Sequence, residues 1–94
     1  MPKYVIERII PGLGNWSQDE LREASKTSCG VLNELGLDIQ WLQSYVTGDK
    51  LYCVYESTDE KLISEHAKRS SFPASAIHEI TYVIGPFTAV ESRS

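Results

Sequence analysis

Three side chains of this 94-residue chain combine metal-binding chemistry with positions in regular elements: His66, Glu7 and Cys53. His66 follows Leu62 and Ile63 on a segment with helical periodicity, so we expect its imidazole to be partly buried. Imidazole is a ligand for nickel, copper and zinc. One histidine does not make a metal site, so the alternative is a structural histidine that is hydrogen-bonded to a neighbour.

Glu7 and Arg8 are adjacent charges in an otherwise apolar strand, "KYVIERII". Side chains alternate along a strand, so the two must point to opposite faces of the sheet. A buried charge is costly unless it is paired or bound to a ligand. Glu7 is therefore a candidate carboxylate ligand for a metal, and Arg8 a candidate partner for an anion or a carboxylate. The alternative is a structural ion pair across a dimer.

Cys53 lies on the strand face that His66 should approach, so a thiolate and an imidazole could bind one metal ion. Cys29 belongs to the first helix, and the two cysteines lack the Cys-x-x-Cys spacing of a zinc or redox motif. We expect two buried free thiols. His78 begins the last strand and is expected to be solvated, where it could bind nickel weakly at the surface or between molecules.

The elements that position these residues follow from capping and alternation patterns. "SQDE" and "STDE" are capping-box patterns, each before an apolar-periodic helix. "KYVIERII" (3–10), the two halves of "WLQSYVTGDKLYCVY" (41–55) and "HEITYVIG" (78–85) are typical of strands. The predicted order is β-α-β-β-α-β, the α+β ferredoxin-like arrangement with two helices on one face of a four-stranded antiparallel sheet. We predict a single domain over residues 1–86 and a tail over 87–94.

The central hairpin predicts which face of the sheet is buried. A two-residue Gly48-Asp49 turn pairs Thr47 with Lys50 and fixes the register. The face that should lie under the helices contains Leu42, Ser44, Val46, Leu51, Cys53 and Tyr55. The other face contains Trp41, Tyr45 and Tyr52 and is predicted to be open. An exposed aromatic surface is typical of an interaction site, and the simplest partner is a second copy, in a homodimer that could enclose a ligand cavity.

Composition restricts the class of function. With 41% hydrophobic and 23% charged residues, the chain is typical of one soluble domain. A net charge of −4 provides no basic surface for nucleic acid. No apolar run approaches the roughly 20 residues of a membrane helix, and the beginning of the chain does not have the pattern of a signal peptide. We therefore expect a cytoplasmic protein with neither a nucleic acid nor a membrane as its partner.

At "WLQSYVTGDKLYCVY", together with "ERIIPG", "SCG" and "EHAKRSSFPA", the chain resembles a family of small bacterial proteins defined as a domain of unknown function. One characterised branch of that family is nickel-responsive or nickel-binding. The resemblance extends from the first strand to about Pro86 and implies a ferredoxin-like dimer that interacts with nickel. The chain departs from the family pattern at Ser71, where glycine is more usual, and at Gly85 and Phe87, where an acidic residue and a threonine are common.

The leading hypothesis is a small cytoplasmic homodimer that binds or buffers a transition metal, which is nickel by resemblance. Its predicted metal ligands are His66, Glu7 and Cys53, and Trp41, Tyr45 and Tyr52 are predicted to line a ligand pocket or the interface. The competing hypothesis is a small enzyme or organic-ligand binder of the dimeric α+β-barrel kind, with His66 as acid or base. A third is a plain dimerisation module.

Overall fold

The computed structural model describes residues 1–90. Its strands and α-helices, in chain order, are β1 (Lys3–Ile9), α1 (Gln18–Leu35), β2 (Ile39–Val46), β3 (Lys50–Ser57), α2 (Glu60–Ser70) and β4 (Ala76–Ile80). Short 3₁₀ helices lie at Leu13–Asn15 and Pro86–Ala89. The six main elements confirm the predicted order.

The four strands form one antiparallel sheet in the order β2-β3-β1-β4. Both helices pack against the same face of this sheet, so the ferredoxin-like α+β arrangement is confirmed. No helix among residues 1–90 is long and apolar enough to cross a membrane.

Strand β1 shows which residues face the helices. Tyr4, Ile6 and Arg8 are buried, whereas Val5 and Glu7 between them are only partly buried. Alternation along the strand explains this pattern, since every second side chain enters the layer between sheet and helices. The core in that layer consists of Tyr4, Ile6, Ile39, Cys53, Tyr55 and Ile63.

The predicted hairpin register is correct near the turn but fails at its far end. Val46 pairs with Leu51 and Gln43 with Val54, as the Gly48-Asp49 turn requires. Leu42 then forms a bulge, after which Trp41 pairs with Tyr55. Because an extra residue reverses the faces beyond it, Trp41 lies on the helix side of the sheet.

The predicted faces of Leu42 and Trp41 are therefore wrong. Leu42, expected under the helices, is 43% exposed. Trp41, expected on the open face, packs against the core and donates from its indole Nε1 to the Ser44 hydroxyl at 2.9 Å. Tyr45 and Tyr52 do form a cross-strand pair on the open face, as predicted.

One of the two predicted helix caps is confirmed. Ser17 and Glu20 form the expected reciprocal capping box at the start of α1. Ser57 does not cap α2, because it is still the last residue of β3 and its hydroxyl donates to the carbonyl of Asp59. Asp59 is the cap instead, and its carboxylate accepts from the amides of Lys61 and Leu62.

Strand β4 is shorter than predicted, since it ends at Ile80 and not at Gly85. Its neighbour β1 begins at Lys3, which pairs with Ile80, so within residues 1–90 no strand lies beside the residues that follow. We call residues 81–90 the C-terminal segment. Five of its large apolar side chains are 65% to 84% exposed: Tyr82, Val83, Ile84, Phe87 and Val90. Of the predicted tail over 87–94, residues 91–94 lie outside the described residues.

Candidate functional site

Glu7 lies on the open face of the sheet, at its centre. Its carboxylate forms an ion pair with Lys50 Nζ at 3.0 Å and accepts a hydrogen bond from the Tyr52 hydroxyl at 3.3 Å. Hydrogen bonding and charge from Lys50 lower the pKa of Glu7, with smaller contributions from Tyr52 and His78. A partly exposed carboxylate that stays ionised is a competent ligand for a cation.

His78 shares this open face with Glu7. It pairs with Val5 across β1 and β4, while Glu7 pairs with Ala76, so the two side chains are diagonal neighbours on adjacent strands. His78 is exposed, as predicted. One imidazole and one carboxylate therefore share a sheet surface that no other described element covers.

His66 lies on the opposite side of the sheet, between α2, α1 and β3. It is 1% exposed, its Nε2 is 3.0 Å from the Ser28 hydroxyl, and its ring is tilted against Tyr55 at a centroid distance of 5.3 Å. Burial, and then the nearby Arg8 charge, lower the pKa of His66 from 6.5 to about 4. The imidazole is therefore neutral at pH 7, and its Nδ1 has no hydrogen-bond partner among residues 1–90.

Arg8 and Cys53 lie in the same buried layer. The Arg8 guanidinium donates from Nε to the Cys53 sulfur at 3.5 Å and from Nη1 to the carbonyls of Phe72 and Pro73 at 3.1 and 3.2 Å. Cys53 is buried, as expected, but Cys29 is exposed on α1, so that part of the thiol prediction is wrong.

The structure does not bring the three predicted metal ligands together. Glu7 is on the open face, whereas His66 and Cys53 are on the helix side. Within residues 1–90 there is no group of three or more His, Cys, Asp or Glu residues that could hold a metal ion. The Arg8 charge next to Cys53 and His66 also opposes a cation in the buried layer.

A cavity of about 190 Å³ lies between α1, the sheet and the segment after β1. Its polar lining residues are Arg8, Ser25, Ser28, Ser44 and Tyr55, and aromatic and aliphatic side chains supply most of the rest. Neither His66 nor Glu7 lines this cavity, so it provides no substrate pocket for His66 as acid or base. The sequence indicated Arg8 as a partner for an anion, but it did not indicate Ser28 or Ser44 as polar groups beside it.

These features define a small ferredoxin-like domain with an open sheet face and, on its helix side, a separate cavity between α1 and the sheet. The chain belongs to the family described as nickel responsive protein SCO4226-like, whose model matches residues 4–80. Its fold is similar to the crystal structure of SCO4226 from Streptomyces coelicolor A3(2). The two share 18% sequence identity and a TM-score of 0.73 over 87% of this chain and 99% of that chain. No curated protein matches the chain.

Proposed function

We propose that the protein is a cytoplasmic nickel-binding protein, acting in metal binding or buffering, and that it works as a homodimer through its open sheet face. The observation that carries the proposal is the shared face of Glu7 and His78, the surface that a second copy would cover. Membership of a nickel-responsive family supports nickel as the metal. Two unpaired cysteines, one of them exposed, support a reducing compartment.

The donor chemistry of the open face suits nickel. Imidazole binds nickel readily, and a carboxylate adds the negative charge that a divalent cation requires. Glu7 and His78 are diagonal neighbours there, but within residues 1–90 no third His, Cys, Asp or Glu joins them to form a group that could hold a metal ion. Two donors are too few to hold the metal tightly. A twofold dimer presents each residue twice, so two copies could supply up to four donors. Nickel would then replace Lys50 as the cationic partner of Glu7.

A second copy also suits the character of the open face. Val5, Tyr52 and Val54 form its partly buried centre, and Tyr45 at its side is 55% exposed. Apolar and aromatic side chains around a few polar groups are typical of a protein interface. In the metal-free protein, the Glu7–Lys50 ion pair allows two such faces to meet without burying Glu7 as an unpaired charge.

The buried pair of His66 and Cys53 remains the alternative nickel site. It would use the neutral imidazole and the thiolate, and it would need the neighbouring Arg8 to move away. The open face avoids that electrostatic conflict, which is why we place the metal there and retain Glu7 from the predicted ligand set.

Nickel titration by calorimetry on metal-free protein tests the proposal. We expect saturable binding in the natural protein, at least a tenfold loss of affinity in Glu7→Gln and in His78→Ala, and little change in the matched control His66→Gln. Circular dichroism and sedimentation would establish that each variant is folded and has the same mass as the natural protein.

Two results would contradict this placement. Affinity lost in His66→Gln but retained in His78→Ala would move the site to the buried layer. Binding by the natural protein no tighter than that of an isolated surface histidine would reject nickel as its ligand.

A further inference from the structure

We propose that the cavity between α1 and the sheet binds a small apolar monocarboxylate, whose negative charge is neutralised by Arg8. This site is separate from the proposed nickel site, because it lies on the helix side of the sheet and shares no residue with the open face.

Arg8 is the main reason for expecting an anion. Its side chain is only 1% exposed, and it forms no ion pair with any carboxylate in residues 1–90. The guanidinium Nη2 is buried without a hydrogen-bond partner in that range. A buried charge without a counter-ion is costly, so a ligand that supplies one would stabilise the folded protein.

Among the described residues, the cavity wall contains no other charge that could neutralise Arg8. The lining that residues 1–90 provide includes no Asp, Glu, Lys or His. Burial raises the pKa of Tyr55, so its phenol stays protonated at neutral pH. His66, just behind the wall, is neutral there as well.

Hydroxyl groups that line the same cavity as Arg8 provide further donors for a carboxylate. Ser44 pairs with Cys53, whose sulfur accepts from Arg8 Nε. Ser44 accepts from Trp41 Nε1 at 2.9 Å, and its own proton has no acceptor within residues 1–90. Planar guanidinium groups match carboxylates in geometry, and an uncharged hydroxyl next to them adds a second hydrogen bond. We therefore expect the carboxylate to lie between Arg8 and Ser44.

The volume and the remaining lining determine the rest of the ligand. An apolar cavity of about 150 Å³ can hold benzene, so about 190 Å³ has room for one such ring with a carboxylate group. The apolar wall is built from Ile10, Leu13, Trp16, Leu21, Ala24, Val46, Leu51 and Phe72, with Trp41 beside Ser44. Val46 is 46% exposed, so the cavity reaches the surface at the end near the hairpin turn.

Benzoate is the probe for this site, and benzamide, which has nearly the same shape without the charge, is its matched control. We expect benzoate to bind once per chain in calorimetry and to raise the Tm. Benzamide should bind at least tenfold more weakly, since it cannot neutralise Arg8. Inorganic phosphate, an anion without an apolar body, should bind at least tenfold more weakly than benzoate.

Two variants test separately the charge of Arg8 and the volume of the cavity. Arg8→Met removes the charge at similar length and should abolish the preference for benzoate over benzamide. Ser25→Leu leaves Arg8 in place but fills the cavity from α1, so it should reduce the affinity for both compounds at least tenfold. Ser25→Leu also keeps the test decisive if Arg8→Met does not fold.

Three results would overturn the proposal. The first is no saturable benzoate binding by the natural protein. The second is benzoate binding that survives Ser25→Leu unchanged, since the ligand would then lie elsewhere. The third is phosphate binding as tight as benzoate binding, which would indicate a general anion site without a role for the apolar wall.

Discussion

His66 is a histidine whose burial determines its protonation. The Ser28 hydroxyl is its hydrogen-bond partner, and the Tyr55 ring packs against the imidazole at a tilted angle. Burial and the Arg8 charge both favour the neutral form, which lowers the pKa of His66 to about 4. In the unfolded chain the same side chain would titrate near its ordinary value.

This difference predicts a specific loss of stability in acid. Below pH 6.5 His66 becomes protonated in the unfolded chain but stays neutral in the folded chain. The free energy of unfolding therefore falls as the pH is lowered, until the pH reaches about 4. At about 1.4 kcal/mol per pKa unit, the loss over this range is on the order of 3 kcal/mol. Urea unfolding at several pH values between these limits measures it.

The control for this experiment is the variant His66→Gln. It should flatten the pH dependence between these limits, because glutamine does not titrate and the shifted imidazole is gone. Glu7, whose pKa is lowered, contributes its own loss only below its ordinary value of 4.5. An unchanged slope in His66→Gln would show that another group causes the acid sensitivity.

The sequence predicted that Glu7 and Arg8 lie on opposite faces of the sheet, but it did not predict which of the two faces the helices. A strand period of two places neighbours on opposite faces in any register, so their separation needed no structure. Which of the two is buried depends on how β1 is paired, and both flanks of the pair are equally apolar in the sequence. In the structure it is Arg8, the larger of the two side chains, that is buried under the helices, next to the cavity.

At the scale of elements, the end of α2 carries a local conformational cost. Ser71 caps the helix with φ 64° and ψ 15°, in the left-handed region that favours glycine, and no other residue of 1–90 except glycine has a positive φ. A side chain makes that conformation unfavourable by about 1 kcal/mol. Ser71 is also one of the three positions at which the sequence departs from the family pattern.

Ser71→Gly should therefore stabilise the protein by about 1 kcal/mol and raise the Tm by about 4–8 °C, the range expected for a domain of this size. Ser64→Gly is the matched control, because Ser64 is exposed in the interior of the same helix, where glycine is unfavourable. Thermal unfolding of both variants should show opposite signs. A destabilised Ser71→Gly would mean that its side chain makes a compensating interaction.

The bulge at Leu42 shows why the strands of the hairpin could be predicted from the sequence, whereas the faces of Leu42 and Trp41 could not. Strand β2 was recognisable from its alternating side chains, and the turn fixed its register with β3 as far as Gln43. No glycine or proline marks the extra residue, so the sequence gives no sign that the alternation changes phase there. The change moves Trp41 from the predicted open face to the wall of the cavity.

At the scale of the whole molecule, the chain is more extended than a compact domain. Its radius of gyration is 15.0 Å, against about 12 Å for a compact chain of this length. The C-terminal segment follows β4 past the last pair of β1 and β4, and its large apolar side chains are exposed.

That segment has the properties of an arm that packs on a second copy. Its alternating "ITYVIG" pattern has strand propensity, and the backbone after Ile80 has no neighbouring strand in the part of the chain that the structure describes. A partner molecule could supply both a strand and an apolar surface, which would bury side chains such as Tyr82 and Ile84. The homodimer proposed for nickel binding would then depend on the arm as well as on the open sheet face.

Sedimentation of Tyr82→Asp tests this dependence against a matched control, Leu37→Asp. Tyr82 and Leu37 are 84% and 86% exposed, but Leu37 lies in the connection between α1 and β2, away from the arm. We expect the natural protein and Leu37→Asp to sediment as dimers of the 10.6 kDa chain, and Tyr82→Asp to dissociate at least tenfold more readily. A charge on the arm must be desolvated in the dimer, whereas a charge at Leu37 stays in water in both states. Equal dissociation constants for the two variants would show that the arm is not part of the interface. A monomeric natural protein would contradict the proposed dimer itself.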